Sequence, residues 1–144
     1  MSIKQISVFL ENKPGQLKAM TGVLAANNID MRALSLAETK DFGIARLVVD
    51  DAYEAMNVLK EADFIASLTS VLAVAVPDEP GGLDKLLAIF SEASVNIEYM
   101  YAFIGGEEAK HAYMIFRVAS TKDAEMRLQG KGLKIMTQDD IAQI

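Results

Sequence analysis

The feature that most constrains the fold is an internal repeat with an offset of 66 residues. Segment 6–17 reads ISVFLENKPGQL and segment 72–83 reads LAVAVPDEPGGL, so the two Pro-Gly steps coincide at this offset. The segment IDMRALS at 29–35 falls on VNIEYMY at 95–101 at the same offset. A repeat of this length indicates two copies of one small unit. We therefore predict two domains, at residues 1–70 and 71–144.

Each copy has the periodicity of a β-α-β-β-α-β unit. Apolar residues alternate with others in Ile6–Leu10, which indicates a strand with one face in a core. Leu83–Phe90 has apolar residues at i, i+3, i+4 and i+7, which indicates a helix packed on a sheet. In the first copy we predict further strands at Ile29–Leu36, Ile44–Val49 and Ile65–Thr69, and a second helix with Ala52 and Leu59 on its inner face. The expected class is α+β, with antiparallel ferredoxin-like sheets and helices on one face.

In the second copy, Tyr99, Tyr101 and Phe103 alternate along the second strand, and a hairpin loop is expected at Gly105–Lys110. The last helix and strand, at Asp123–Ile135, are the least regular part of the pattern.

Composition excludes several classes of function. The chain has no cysteine and one histidine, so thiolate sites and the usual zinc clusters are excluded, and we expect no cofactor and no metal. Net charge is −6 and the 14 Lys and Arg residues are scattered, which disfavours nucleic-acid binding. No stretch of about 20 apolar residues occurs, so no membrane association is expected. A cytoplasmic protein is the expectation.

The strand, ENKPGQL, helix and IDMRAL of the first copy resemble the ACT domain, and so do PDEPGGL and NIEYMYAF in the second. The resemblance covers essentially the whole chain, twice. It implies a regulatory, non-enzymatic role in which an amino acid binds between paired domains that lie side by side. Because no catalytic domain accompanies the two units in this sequence, we expect that whatever the chain regulates is a separate polypeptide or does not exist.

The Pro-Gly turns are the first candidate for the binding site. Glycine after proline lets the chain turn sharply and lets a ligand approach the backbone. The first N–H groups of the following helix lack intrahelical partners and suit a ligand carboxylate. The alternative is that each turn only joins a strand to a helix. The candidate ligand-binding residues are Asn12, Lys13, Pro14, Gly15, Gln16 and Leu17 at the first turn, Asp78, Pro80, Gly81, Gly82 and Leu83 at the second, and Asp30, Met31, Asn96 and Ile97 at the second strands.

Polar positions implied by the resemblance make the two sites unequal. If the turn of one domain faces the second strand of the other, Asn12 meets Asn96 while Asp78 meets Asp30. Two amides suit the carboxylate and the ammonium of a zwitterion, whereas two carboxylates repel a ligand carboxylate. We therefore expect the ligand at Asn12 and Asn96. The alternative for these residues is turn capping or a solvated strand end.

Three functions compete on this sequence. The first is a stand-alone amino-acid-binding regulator. The second is a structural or assembly subunit that holds a partner enzyme and binds no metabolite. The third is a small enzyme that uses the carboxylates of Asp30 and Asp78, which is disfavoured because His111 is predicted to be solvated and no catalytic motif occurs. Uncovered sheet edges favour a homodimer in each case.

Overall fold

The computed structural model describes residues 2–38, 40–102 and 111–144, and these residues form seven strands and five helices. The elements are β1 Ile3–Glu11, α1 Gln16–Ala26, β2 Met31–Glu38, β3 Phe42–Val49, α2 Ala52–Glu61, β4 Ile65–Pro77, α3 Gly82–Glu92, β5 Tyr99–Ala102, β6 His111–Arg117, α4 Thr121–Leu128, β7 Lys134–Ile135 and α5 Gln138–Ala142. Two compact units are present, Lys4–Thr69 and Ser70–Ile144 with the first three residues, here called the first and second unit.

In the first unit, β3 lies between β2 and β1 and pairs with both in antiparallel fashion. Because side chains alternate along a strand, Ile6, Val8 and Leu10 share the face that both helices cover. Met20 and Leu24 of α1 pack on this face, together with the inner face of α2. The Asp51 side chain caps α2 by accepting from the Glu54 N–H at 3.1 Å.

The second unit repeats this arrangement around β4, which pairs with β6, while β6 pairs with β5. Its core centres on Phe90 of α3 and Phe116 of β6, whose ring centroids lie 4.8 Å apart. The rings are tilted, an arrangement that aromatic pairs prefer over a face-to-face stack. The two β-α-β-β-α-β units with helices on one face of antiparallel strands confirm the predicted fold class.

Several details differ from the sequence-based expectations. Leu83 is 39% exposed and does not join the buried stripe, because the buried position at the start of α3 belongs to Gly82. The second strand of the second unit begins only at Tyr99. Helix α5 was not predicted. Phe103 and the hairpin at Gly105–Lys110 lie outside the described residues.

No helix in the described part of the chain is long and apolar enough to cross a membrane.

Candidate functional site

Both Pro-Gly turns end in a glycine with left-handed backbone conformation. Gly15 has φ 87° and Gly81 has φ 85°, and each is the N-cap of the helix that follows. This region costs a residue with a Cβ roughly 1–2 kcal/mol, which explains why both copies hold glycine here. Neither α1 nor α3 has a side-chain cap. Because glycine has no side chain, the N-cap residue supplies no side-chain acceptor to the first N–H groups of either helix.

The second turn is the tighter of the two. The Glu79 N–H donates to Pro77 O at 2.9 Å, and the Gly82 N–H donates to Glu79 O at 3.0 Å. A Cβ on Gly82 would overlap the carbonyl oxygen of Pro77, so residue 82 must be glycine for this turn to form. At the equivalent position of the first unit stands Gln16, whose N–H donates to Lys13 O at 3.4 Å.

A cavity of about 680 Å³ opens beside the second turn, entirely within the second unit. We call it the α5 cavity, because α5 and the segment that leads to it form one wall, opposite α3 and the end of β4. Its volume lies in the range of small-molecule sites, about 300–1,000 Å³. The lining residues are Ala75, Val76, Pro77, Glu79, Gly82, Lys85, Leu86, Ile89, His111, Tyr113, Gly132, Leu133, Lys134, Met136, Asp140, Gln143 and Ile144.

The shortness of β7 explains why the α5 cavity exists. β7 pairs only with Val74 and Ala75 of β4, so β4 continues to Pro77 without β7 beside it. Pro77 has no N–H, and its carbonyl oxygen accepts from Glu79. The strand end therefore leaves no unsatisfied backbone donor at this edge, which makes the open edge tolerable.

Helix α5 has only five residues, but two hydrogen bonds stabilise its N-terminus. Thr137 Oγ1 accepts from the Asp140 N–H at 3.2 Å, and an Asp140 carboxylate oxygen accepts from the Thr137 N–H at 2.8 Å. This reciprocal pair is a capping box. Ile141 is fully buried and holds α5 to the second unit. The hydrogen bonds from Thr137, and then the nearby Lys134 ammonium, lower the pKa of Asp140 below its ordinary value.

The α5 cavity combines an apolar floor with charges of both signs. Val76, Leu86 and Met136 are buried and contribute the floor. Glu79 and Lys85 lie on the side of the turn. Lys134 Nζ and Asp140 Oδ2 lie 3.8 Å apart on the opposite wall.

The corresponding place in the first unit is a notch of about 90 Å³. The Asn12 amide donates to Glu38 Oε2 at 3.2 Å, and Lys13 Nζ lies 2.9 Å from Glu11 Oε2. These local contacts use the polar side chains that were expected to hold a ligand. The residues that line the notch are Leu10, Glu11, Asn12, Lys13, Gln16, Leu17, Leu36, Glu38 and Gly43.

The predicted residues on the second strands lie at the other end of each sheet from the turn of the same unit. Met31 is opposite Val49, whereas Glu38 is opposite Gly43 beside the first turn. In the second unit, Tyr99 is opposite Arg117, and Asn96 precedes it as an exposed residue. Met31 and Ile97 are half-buried and pack against the cores of their units.

Asp30 is not an isolated carboxylate, because Arg32 Nη1 lies 2.6 Å from its Oδ2. Its backbone N–H also donates to Asp50 Oδ1 at 3.1 Å. Arg32 therefore supplies a positive charge beside Asp30, while the expected pairing of Asp78 with Asp30 stays a prediction.

Four of the residues predicted to bind the ligand line the notch in the structure, namely Asn12, Lys13, Gln16 and Leu17. Of the residues predicted at the second turn, only Gly82 lines the α5 cavity, while Asp78, Pro80, Gly81 and Leu83 are exposed outside it. The whole wall from Gly132 to Ile144 was missed. Its sequence signal is Thr137-Gln-Asp-Asp140, which has the spacing of a capping box.

The described residues contain no group of three or more His, Cys, Asp or Glu side chains placed to hold a metal ion. His111 is exposed at the start of β6 and lines the α5 cavity.

Fold and sequence agree on the class of protein. The ACT domain pair family matches residues 1–144, so the chain belongs to this family of regulatory domains, as the resemblance implied. The crystal structure of protein BT0572 from Bacteroides thetaiotaomicron is 37% identical, covers 100% of this chain and 98% of its own, and superposes with a TM-score of 0.91. A comparison with curated proteins gave no match.

More distant structures share the fold. The regulatory subunit of aspartate kinase from Thermus thermophilus, in its ligand-free form, is 18% identical over 90% of both chains, with a TM-score of 0.64. The regulatory subunit of aspartate kinase from Thermus flavus is 17% identical over 90% of both chains, with a TM-score of 0.62.

Proposed function

We propose that this ACT domain pair is a stand-alone sensor that binds a free amino acid and thereby modulates a separate enzyme or regulator of amino-acid metabolism. The observation that carries the proposal is the α5 cavity, which is of ligand size and lies directly beside the Pro80-Gly81 turn. An apolar floor with both signs of charge at its edge suits a zwitterion that has a side chain to bury.

The second strands carry the alternative site that the sequence predicts. Asn96 and Ile97, like Asp30 and Met31, lie away from the turn of their own unit. Contacts from these residues to a ligand therefore require a neighbouring domain. The pairing of Asn12 with Asn96 stays a prediction.

We propose that the chain has no catalytic activity of its own. The family supports this proposal, because the ACT domain pair is a family of regulatory domains. The lowered pKa of Asp140 keeps its carboxylate ionised as a helix cap, which disfavours a general-acid role for this one group.

A second candidate, a subunit that holds a partner protein, is favoured by one surface feature. Phe9 and Phe42 stack with ring centroids 4.5 Å apart, and Phe9 is 42% exposed. Phe9 points away from the helix-covered face, since its neighbours Val8 and Leu10 are buried there. A homodimer or a complex with a partner enzyme would cover this pair.

Thermal unfolding of the full chain with each common amino acid tests the proposal. A ligand at 100 times its dissociation constant stabilises the folded state by about 2.7 kcal/mol. We expect such a shift with a restricted set of amino acids. An unchanged melting temperature with every amino acid would favour the partner-holding subunit.

A further inference from the structure

We infer that the α5 cavity, and not the notch of the first unit, is the ligand compartment, and that it takes an amino acid with a large apolar side chain. This inference rests on the proposed function and names the class of ligand that the function requires. Three observations carry it, namely the two volumes, the burial of the floor and the charges that lack partners.

Volume separates the two turns. The α5 cavity of about 680 Å³ lies within the range of small-molecule sites, about 300–1,000 Å³, whereas the notch of about 90 Å³ lies far below it. An aromatic amino acid has roughly twice as many non-hydrogen atoms as alanine or serine, so the larger volume suits the larger class.

The floor of the α5 cavity selects an apolar side chain. Val76, Leu86 and Met136 are at most 4% exposed, and half-buried Ile89 and Leu133 continue the same surface. These side chains carry no hydrogen-bonding group except the weak acceptor sulfur of Met136. A polar side chain placed against them would lose its hydrogen bonds to water, which is unfavourable. An apolar side chain gains about 25 cal/mol for each Å² that it buries.

The edge of the cavity offers two charges for the amino-acid head. Lys85 and Glu79 have no ion-pair partner among the residues that the structure describes. Lys134 and Asp140 on the other wall are already close to each other, and Asp140 is committed to the Thr137 N–H. We therefore assign the ligand carboxylate to Lys85 and the ligand ammonium to Glu79, because charge-assisted hydrogen bonds are the stronger kind.

Calorimetry on the full chain tests the ligand class and the site together. The probes are phenylalanine, leucine, alanine and serine. We expect phenylalanine or leucine to bind at least ten times more tightly than alanine or serine. Lys85→Gln should weaken binding about tenfold or more. The matched control, Lys18→Gln at the exposed start of α1, should change the dissociation constant less than twofold. Asn12→Ala tests the notch instead, and a tenfold loss of affinity in that variant would overturn the assignment to the α5 cavity.

Methyl NMR of the unmodified protein locates the ligand without relying on a variant. The Met136 methyl should shift on titration with phenylalanine, while Met20 in the core of the first unit should not. If an amino acid binds but Met136 and the Lys85→Gln affinity are unchanged, the site assignment is overturned while the proposed function stands. A preference for serine or alanine overturns the ligand class. If no amino acid binds, the proposed function fails as well.

Discussion

The carbonyl oxygen of Pro77 lies beside the backbone of Gly82, in the space that the Cβ of any other residue at position 82 would need. In this turn between β4 and α3, the Glu79 N–H donates to Pro77 O and the Gly82 N–H donates to Glu79 O. Lys85 and Leu86, further along α3, line the α5 cavity. The first unit has no such restriction, because Gln16 occupies the equivalent position. The two copies of one repeat therefore differ at a residue that lines the α5 cavity in the second unit.

Replacing Gly82 by alanine should destabilise the protein by about 1–3 kcal/mol, because the overlap with Pro77 O forces the turn to shift. The matched control is Gln16→Ala, which should change stability by no more than about 0.5 kcal/mol. Urea unfolding at one pH measures both. Equal effects of the two substitutions would show that the contact of Gly82 with Pro77 does not restrict residue 82.

The strength of the α5 cap should depend on pH through Asp140. Its pKa is lowered in the folded protein, so its contribution to stability is fully present above the unfolded value of about 3.9 and is lost as pH falls through the folded value. The melting temperatures of the wild type and of Asp140→Asn should differ at pH 7 and converge as the pH falls below the pKa of Asp140 in the folded protein. A constant difference over this range would argue against a cap that depends on the charge.

Removing the other half of the capping box should loosen α5 directly. Thr137→Ala removes the hydroxyl that accepts from the Asp140 N–H, and N-cap losses cost about 0.5–2 kcal/mol. We expect faster amide exchange in Gln138–Ala142, with little change in α3. Ser120→Ala at the N-cap of α4 is the control, because it removes the same kind of cap from a helix outside the cavity lining. Protection of α5 that survives in Thr137→Ala would contradict this role.

The fold could be predicted because the repeat and the periodicities point the same way. Alternation in Ile6–Leu10 and helical spacing around Leu86 and Phe90 are signals of burial. The apolar residues at these positions that were expected in the core are buried, namely Ile6, Val8, Leu10, Leu86 and Phe90. Elements that are too short to show a period could not be predicted in this way. β7 has two residues and α5 has five, which is too little for a period to emerge.

The candidate site was only partly predictable, because the repeat predicts ligand contacts at residues that both copies share. These are the Pro-Gly steps and their neighbours, and Pro80 and Gly81 do not line the α5 cavity. The volume beside the second turn depends instead on where β7 stops and on the wall from Gly132 to Ile144. Only the spacing of Thr137 and Asp140 marked this segment as a helix start.

The last prediction separates the α5 cavity from the site expected at Asn12 and Asn96. Within the second unit, Asn96 lies beyond Arg117, which is six residues along β6 from His111 at the cavity, or roughly 20 Å at strand spacing. Asn96→Ala should therefore change the affinity for phenylalanine by no more than about twofold. If Asn96 did bind the charged head of the ligand, loss of that hydrogen bond would cost about 1.5–3 kcal/mol, or at least tenfold in affinity. Asp30→Ala should also have little effect, because its carboxylate is paired with Arg32. A tenfold loss in Asn96→Ala with none in Asp30→Ala, measured by calorimetry, would move the ligand to the Asn12 and Asn96 site.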